Sequence, residues 1–275
     1  MELYKRVSYE VSRIVTQRYS TSFSMSTGLF SNEVRDHIYA IYGMVRIADE
    51  IVDTYRGKDT AKLLNAFEAE VYESIERGYS TNPVLHSFAL TAGRYGIDKS
   101  LIAPFFESMR MDLDKVIYTK ETYKTYIYGS AEVVGLMCLR VFVGGDDKKY
   151  ASLEKGGRAL GSVYQEVNFL RDMAADYKEL GRIYFPGVSY ETFDETDKLA
   201  IIKRIEKDFA RAKKAAEQLP EGSKKAVLLS IRYYGALLQK IKRTPASVLK
   251  DKRIRINNFR KIGMLVATKV SNDRG

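Results

Sequence analysis

Two stretches of the chain combine aspartates four residues apart with a neighbouring arginine. The first reads RIADEIVD and contains Asp49 and Asp53, and the second reads NFLRDMAAD and contains Asp172 and Asp176. An α-helix turns once in about 3.6 residues, so this spacing keeps both carboxylates of a motif on one face. Mg²⁺ takes such oxygens as ligands, together with water and substrate phosphates. The two motifs therefore predict two facing helices that hold divalent cations and a diphosphate.

The residues that flank both motifs suit the same chemistry. Arg46 and Arg171 can each donate a forked pair of hydrogen bonds to phosphate oxygens. Asn168 precedes the second pair of aspartates at the same spacing of four, and Gln165 lies about one turn before Asn168. A single DxxxD on a helix is more often a solvated face, but two copies within apolar helical stretches favour a shared site.

The composition places these motifs in one large helical domain. The chain has 275 residues, enough for a sizeable core, and only five prolines. Its periodicity predicts helices throughout, among them Glu33–Tyr55, Lys99–Val116, Tyr150–Leu180 and Asn258–Thr268. We find no composition break, no tandem repeat and no run long enough for a membrane span. The N-terminus lacks the apolar stretch of a secretory signal, so we expect a cytoplasmic protein.

Several other classes of protein are disfavoured by charge and by the rare residue types. The single Cys138 cannot form an intramolecular disulfide, and its apolar neighbours predict a core residue. A di-iron bundle would need Glu-x-x-His, which neither His37 nor His86 completes. The net charge of +10 is spread along the chain without a nucleic-acid-binding motif. It also suits anionic substrates or membranes, and the basic cluster within residues 250–261 is either a solvated element or a membrane contact.

Four blocks occur in order along the chain: YSTSF at Tyr19–Phe23, EVRDHIYAIYGMVRIADEIVD at Glu33–Asp53, YIYGSAEVVGLM at Tyr126–Met137 and GSVYQEVNFLRDMAADYKELGRIYFP at Gly161–Pro186. Together they resemble the squalene/phytoene synthase family of head-to-head isoprenoid synthases, in particular its bacterial phytoene-forming members. The resemblance implies an all-α fold, in which residues 1–275 form a single isoprenoid-synthase helical bundle around a central cavity.

The resemblance also implies roles for individual residues. The metal, Mg²⁺ or alternatively Mn²⁺, would be held by Asp49, Asp53, Asn168, Asp172 and Asp176. The same four aspartates would be catalytic, with Tyr42 and Tyr128 giving aromatic contacts to cationic intermediates. The diphosphates would contact Ser20, Ser22, Arg46, Gln165, Asn168, Arg171 and Arg182.

Other positions in these blocks match the family less clearly. Asp112 and Asp114 are either substrate-side groups or surface acids. Thr21 and Ala246 depart from the pattern, since relatives often carry a basic residue and a tyrosine there.

The activity implied by the resemblance is the condensation of two geranylgeranyl diphosphates to 15-cis-phytoene. We expect no NADPH requirement, because no nucleotide-binding glycine pattern is evident. The small Thr27, one turn after Phe23, favours this longer substrate if it lines the cavity floor. The alternatives are a dehydrosqualene, presqualene diphosphate or squalene synthase using farnesyl diphosphate, and a non-catalytic assembly factor. The expected partners are prenyl diphosphates and no nucleic acid, with peripheral contact at the inner face of the membrane left open.

Overall fold

The computed structural model describes residues 1–55, 57–113, 118–257, 263–265 and 268, without the side chains of residues 21–23 and 180. All regular structure in these ranges is helical, as the resemblance implies. We number the α-helices α1 (Glu2–Tyr19), α2 (Thr21–Thr27), α3 (Asn32–Glu50), α4 (Thr60–Arg77), α5 (Pro83–Tyr95), α6 (Lys99–Met111), α7 (Lys120–Ile127), α8 (Val133–Phe142), α9 (Asp147–Ala175), α10 (Glu195–Ala216), α11 (Glu221–Arg243) and α12 (Ala246–Leu249).

Three π-helical turns, each wider than the α-helix it adjoins, extend these helices. They are Ile51–Tyr55 after α3, Tyr128–Glu132 between α7 and α8, and Asp176–Leu180 after α9. The two predicted helices that carry the acid motifs are thus confirmed as helical to their predicted ends. In both, the last five residues form the π-turn, a feature that is frequent at functional sites.

Local sequence signals explain where several of the helices begin or end. The Asn82 side chain accepts a hydrogen bond from the Val84 amide at 3.1 Å, ahead of α5. Asp146 caps α9 in the same way through the Lys149 amide at 3.0 Å. Gly96 follows α5 with a φ of 66°, a left-handed conformation that costs glycine little.

Two predicted helices differ from the structure or lie partly outside it. The helix predicted at Lys99–Val116 is shorter, because α6 ends at Met111 and residues 114–117 are not among those described. Most of the predicted helix Asn258–Thr268 is also outside the described residues. The short helices α2 and α12 were not predicted.

Two hydrophobic clusters hold the helices together. The first joins α3 to α6 with α8 and includes the fully buried Met44, Phe105 and Phe106. The second joins α7 with α9, α10 and α11 and includes the fully buried Ile205 and Leu237. Helix α8 packs against both α3 and α9. The helices that carry the two acid motifs therefore flank a common neighbour.

Glycines allow the close approach of α9 to α8 and its π-turn. A β-carbon on Gly161 would lie 2.4 Å from the carbonyl oxygen of Ala131, and one on Gly135 would lie 2.8 Å from that of Gly157. These distances are too short for any side chain. The predicted role of Gly157 and Gly161 in helix contact is confirmed.

Candidate active site

The first acid motif lies at the end of α3 and in the π-turn that follows. Arg46 Nη1 lies 3.7 Å from Asp49 Oδ2, and the same guanidinium pairs with Glu50 one turn away. Asp49 is partly buried, and 32% of its side chain remains accessible to solvent. Burial, opposed by Arg46 and reinforced by the charges of Asp53 and Asp112, raises the pKa of Asp49 to about 7. A cation bound beside this carboxylate would therefore stabilise its charged form.

The second acid motif lies at the end of α9. Both oxygens of Asp172 accept hydrogen bonds from Arg171, at 2.9 Å from Nε and 2.5 Å from Nη2. Arg253 adds a further ion pair, with 2.7 Å between its Nε and Asp172 Oδ1. Asp176 begins the π-turn, and burial followed by the charge of Asp172 raises its pKa to about 7. Two guanidinium groups thus neutralise Asp172, whereas Asp176 retains an unfavourable charge.

Electrostatic contacts show that the two motifs face each other. The charge of Asp53, from the first motif, contributes to the raised pKa of Asp176 in the second. Arg182 Nη1 lies 3.9 Å from Asp53 Oδ1, and the charge of Arg182 acts on Asp176 in the opposite direction. The predicted juxtaposition of the motifs is therefore present, with Arg182 between them.

Asp112 is a buried carboxylate that holds Arg182 from the other side. Its Oδ1 lies 3.1 Å from Arg182 Nη1, and its Oδ2 accepts a hydrogen bond from the Tyr126 hydroxyl at 2.9 Å. Burial raises the pKa of Asp112 to about 7, against the effects of Arg182 and Tyr126. Asp112 is thus a positioning group rather than a surface acid. Asp114 lies outside the described residues.

Half-buried side chains on three helices lie beside the two hydrophobic clusters and the first acid motif. They are Tyr42 on α3, Val134 and Cys138 on α8, and Tyr164 on α9. Burial raises the pKa of the Cys138 thiol to about 12, so it is a neutral, apolar wall residue rather than a nucleophile. We call these four side chains, which are aromatic or apolar, the inner wall.

A pair of stacked tyrosines joins the inner wall to the second motif. The rings of Tyr164 and Tyr234 are 4.0 Å apart at an interplanar angle of 15°. The Tyr234 hydroxyl donates to Asn168 Oδ1 at 3.4 Å. Tyr234 also contributes to the raised pKa of Tyr42, which brings α11 close to this part of α3. Ala246, where relatives often carry tyrosine, is 5% exposed and packs in the core.

The predicted hydroxyl and amide groups fall near the motifs where they are described. The Ser20 hydroxyl forms a hydrogen bond with Tyr42, which lies one turn before Arg46 on α3. Gln165 is half-buried on α9 about one turn before Asn168. The side chain of Ser22 lies outside the described part of the chain.

Tyr128 lies in a different environment from the other predicted aromatic residue. It begins the π-turn before α8, and the Arg158 guanidinium lies over its ring at 5.0 Å from the centroid. Among the described contacts, Tyr128 is joined to Arg158 and to the hydrophobic cluster around α8 rather than to either acid motif. Its contact with a cationic intermediate stays a prediction.

A separate surface cleft of about 620 Å³ contains none of these groups. Its walls come mainly from α1 and the start of α3, and they include Lys5, Arg13, Asp36 and Arg94. Both acidic and basic side chains line it. The size of a cleft therefore does not locate the candidate site in this protein, and the facing carboxylates do.

A family model described as squalene/phytoene synthase matches residues 16–260. This match covers both acid motifs, the inner wall and the turn that carries Arg182. The chain belongs to the squalene/phytoene synthase family. The family assignment made from the four sequence blocks is confirmed.

Named relatives in this family are phytoene synthases. Phytoene synthase 1, chloroplastic, from Arabidopsis thaliana is 31% identical over 278 residues, covering 94% of this chain and 65% of the relative. Phytoene synthase from Arthrospira platensis is 32% identical, covering 69% and 64% respectively. Phytoene synthase 2, chloroplastic, from Solanum lycopersicum is 31% identical, covering 85% and 81%. The chain spans just under two thirds of the length of the first two relatives.

Solved structures of the squalene/phytoene synthase type share the fold. A dehydrosqualene synthase in complex with a ligand superposes with a TM-score of 0.81 at 19% identity, over 98% of each chain. Squalene synthase HpnC from Alicyclobacillus acidocaldarius gives 0.77 at 23% identity, over 88% of this chain and 95% of its own. The predicted isoprenoid-synthase bundle is confirmed. Across the described residues, no helix is both long and apolar enough to cross a membrane.

The donor set of the candidate site fits a hard cation that keeps coordination positions for other oxygens. In the described ranges, no three His, Cys, Asp or Glu side chains converge as ligands of one ion. Mg²⁺ usually takes one or two carboxylates and completes its shell with water and substrate phosphates. Asp49 and Asp176, whose raised pKa values reflect uncompensated charge, suit that role. The two arginines on Asp172 make it the less available ligand.

Two charged side chains at the site were not assigned to it from the sequence. Glu50 pairs with Arg46 four residues earlier, a spacing from which the ion pair could have been predicted. Arg253 was grouped with the basic cluster near the end of the chain, yet it contacts Asp172. No local pattern links two residues so distant in sequence.

Proposed function

We propose that the protein is a prenyltransferase of the phytoene synthase type, acting in carotenoid biosynthesis. It would condense two geranylgeranyl diphosphates head to head, through prephytoene diphosphate, to 15-cis-phytoene. The observation that carries this proposal is the pair of facing acid motifs, with Arg182 between Asp53 and Asp112 and carboxyl pKa values raised to about 7 on both sides. Such a site is built to receive cations together with a polyanion.

The residues of the motifs would bind and orient the two diphosphates. Arg46, Arg171 and Arg182 would donate forked hydrogen bonds to phosphate oxygens. Bound Mg²⁺, with Mn²⁺ as a substitute, would stabilise the negative charge of the departing diphosphate, and Asp49, Asp53, Asp172, Asp176 and Asn168 would hold it. Ser20 and Gln165 would complete the polar rim.

A cavity beside the inner wall would hold the prenyl chains and exclude water. The first substrate loses diphosphate to give an allylic cation, and a double bond of the second attacks that cation with loss of a proton. The cyclopropylcarbinyl diphosphate so formed loses its diphosphate, rearranges and releases a second proton to give the C40 hydrocarbon. Water would trap either cation as an alcohol, so an apolar wall is required. Tyr42 and the Tyr164–Tyr234 pair present aromatic faces that can stabilise a nearby cation.

The choice of the C40 substrate rests on the relatives, which are named phytoene synthases at 31–32% identity. Thr27 contributes less than its small size suggested. It is fully buried, and its hydroxyl donates to Ser24 O at 3.0 Å and lies 3.3 Å from the Tyr39 hydroxyl. A C30 reaction on farnesyl diphosphate is the second candidate, because the solved structures of similar fold include a dehydrosqualene synthase.

The test is product analysis with purified protein, Mg²⁺ and no NADPH. We expect a C40 hydrocarbon in the hexane extract from geranylgeranyl diphosphate, and its loss on chelation of Mg²⁺ or in Asp172→Asn. A C30 product from farnesyl diphosphate alone would move the protein to the second candidate. No product from either substrate would favour the non-catalytic assembly factor.

A further inference from the structure

Helix α1 has its polar and apolar sides reversed relative to an ordinary surface helix. A surface helix normally turns its apolar stripe towards the core. Helix α1 packs against α3 and α5, but the side chains that it buries are mostly small and hydroxyl-bearing: Ser8, Tyr9, Ser12 and Thr16. The hydroxyls of Ser12 and Ser87 lie 2.8 Å apart in this contact. The buried side of α1 is therefore held largely by polar groups.

The aliphatic side chains of α1 lie on its solvent side instead. Leu3, Val7 and Ile14 follow one another at spacings of four and seven, which places them on one side of the helix. Leu3 is 65% exposed and Ile14 is 52% exposed. We call these three residues the outer face of α1. Single exposed apolar residues are ordinary on a protein surface, whereas a row of them on one helix indicates an interaction surface.

Exposed tyrosines lie near both ends of the outer face. At the start of α1, the ring of Tyr79 lies beside that of Tyr4, with centroids 5.6 Å apart. At the end of α1, the Arg46 guanidinium lies over the ring of Tyr19, 4.4 Å from its centroid. Tyrosine combines an apolar ring with a polar hydroxyl and is enriched where an apolar phase meets water. The outer face thus extends to the first acid motif.

The charged residues of α1 are mainly basic. All six of its charged side chains are exposed, and four are basic: Lys5, Arg6, Arg13 and Arg18 against Glu2 and Glu10. The whole chain carries a net charge of +10. An anionic surface would attract such a helix, and each lysine or arginine close to an anionic bilayer strengthens binding roughly fivefold.

The size of the outer face argues against a stable dimer. An 18-residue helix is about 27 Å long and about 10 Å wide, so one side of it offers roughly 270 Å². A stable protein interface buries about 800 Å² on each partner. A bilayer requires no matched surface, because an amphipathic helix inserts its apolar side chains among the lipids while its basic side chains contact anionic headgroups.

We propose that the outer face of α1 docks the protein on an anionic lipid bilayer. Helix α1 then lies in the plane of the interface, with Leu3, Val7 and Ile14 below the headgroups. Because Tyr19 contacts Arg46, this orientation holds the first acid motif close to the membrane. Such a position suits substrates and products with long apolar chains, but the docking itself does not depend on the function proposed above.

The experiment is co-sedimentation of the full-length protein with vesicles of phosphatidylcholine alone, or of equal parts of phosphatidylcholine and phosphatidylglycerol. We expect binding to the mixed vesicles that is weakened at least about tenfold in the double variant Leu3→Gln/Ile14→Gln, because two aliphatic side chains no longer leave water. Arg6→Gln should weaken binding to the mixed vesicles roughly fivefold and leave binding to the neutral ones unchanged.

The matched control is the double variant Leu63→Gln/Leu199→Gln. It also removes two exposed aliphatic side chains, 40% and 42% exposed, but from α4 and α10. It should bind the mixed vesicles as tightly as the unsubstituted protein. The melting temperatures of both double variants should be unchanged, since the substituted side chains are exposed.

Fluorescence gives a second measurement that does not depend on a loss of binding. The chain contains no tryptophan, so a single substitution introduces a unique reporter. The emission of Val7→Trp should move to shorter wavelength when mixed vesicles are added, as an indole ring leaves water. The emission of Leu199→Trp should not move.

Three outcomes would overturn the inference. Equal binding by the unsubstituted protein and Leu3→Gln/Ile14→Gln would place the membrane contact elsewhere, as would equal emission shifts in the two tryptophan variants. Failure of the unsubstituted protein to bind either kind of vesicle would remove the membrane contact altogether. A dimer that forms without vesicles and is lost in the double variant would show that a second copy covers the outer face. Product analysis is unaffected by these results, so the proposed function is tested separately.

Discussion

Helix α3 carries polar groups near both of its ends, and their surroundings differ. Near its start, His37 is buried between α1 and α5, where its Nδ1 lies 3.2 Å from the Tyr9 hydroxyl and 2.8 Å from Thr91 Oγ1. Near its end, Asp49 lies among other carboxylates and shares Arg46 with Glu50. The first group has neutral partners within hydrogen-bond reach, whereas the second lacks enough positive charge around it.

This difference separates a structural polar cluster from a functional one. Burial, followed by the charges of Arg94 and Lys5, lowers the pKa of His37 to about 4, so the ring is neutral near pH 7 and needs no counter-ion. Burial and neighbouring carboxylates raise the pKa of Asp49, so its charged form is unfavourable and an added cation would stabilise it. Buried polar groups with partners support a fold, and buried charges without compensation indicate where a ligand binds.

The largest effect on activity is expected from Asp49→Asn, in the first acid motif at the end of α3. This change removes a proposed metal ligand, and we expect the rate of hydrocarbon formation to fall roughly 10²–10³-fold, as when one group that stabilises developing charge is lost. The melting temperature should stay the same or rise, because the amide removes repulsion with Asp53 and Asp112. Initial rates and thermal unfolding of the same preparation measure both quantities.

Asp36→Asn is the matched control for this substitution. Asp36 is an exposed acid on the same helix, outside the acid motif, so activity and melting temperature should both be close to those of the unsubstituted protein. An Asp49→Asn variant with a normal rate at saturating Mg²⁺ would contradict the functional role of this end of α3.

At the other end of the helix, we expect His37→Ala to reduce stability rather than catalysis. The substitution leaves a cavity and removes the partner of Tyr9 and Thr91, which should cost about 2–4 kcal/mol in the free energy of unfolding. Denaturant titration measures this cost. The rate per folded molecule should be unchanged. A loss of rate without a loss of stability would show that the His37 end of α3 also contributes to the activity.

The pH dependence of stability gives a sharper measurement at His37. Its pKa of about 4 in the folded protein lies below the usual 6.5, so the unfolded chain binds more protons between these values. The stability that His37 contributes is therefore complete above pH 6.5 and is lost as the pH falls towards 4. The full loss would be at most ~3.5 kcal/mol, since each unit of pKa difference corresponds to about 1.4 kcal/mol.

His37→Gln isolates this contribution from other groups that titrate in the same range. The carboxyls of Asp49, Asp112 and Asp176 have raised pKa values and act in the opposite direction, since the folded protein binds their protons more tightly. The quantity to measure is thus the difference in unfolding free energy between the two proteins from pH 4 to pH 7. A difference that is independent of pH would contradict the assignment.

The sequence predicted those features of the molecule that depend on local spacing. The helices that carry the acid motifs follow from periodicity, and each stripe of aspartates follows from a spacing of four. The resemblance supplied the fold and Arg182. The π-turns at Ile51–Tyr55 and Asp176–Leu180 could not be predicted, because no local signal marks where a helix widens by one residue.

Side-chain contacts that depend on tertiary packing could not be predicted from the sequence either. Asp112 binds Arg182 and Tyr126, and Arg253 binds Asp172, across loops whose paths no residue pattern specifies. His37 could be judged a poor metal ligand from the sequence, but its place between Tyr9 and Thr91 became visible only when α1 and α5 were placed beside α3.

The smallest effects should come from removing a single hydroxyl group, either beside His37 in the structural cluster or beside Asn168 at the second acid motif. Tyr9→Phe removes the hydroxyl beside His37 but keeps the edge-on ring contact, with centroids 5.2 Å apart. Tyr234→Phe removes the donor to Asn168 and keeps the ring stacked on Tyr164. The chemical change is the same in both variants, so each is a control for the other.

The two variants should alter different properties, one the stability and the other the rate, by similar free energies. Tyr9→Phe should lower the free energy of unfolding by about 1 kcal/mol, the net contribution of one hydrogen bond, and leave the rate unchanged. Tyr234→Phe should reduce the rate a few-fold, about the same energy expressed at the site, because Asn168 loses the group that orients it beside the second motif. Should both variants change stability alone, the Tyr164–Tyr234 pair would be packing rather than part of the site, and the functional end of the bundle would be limited to the charged groups.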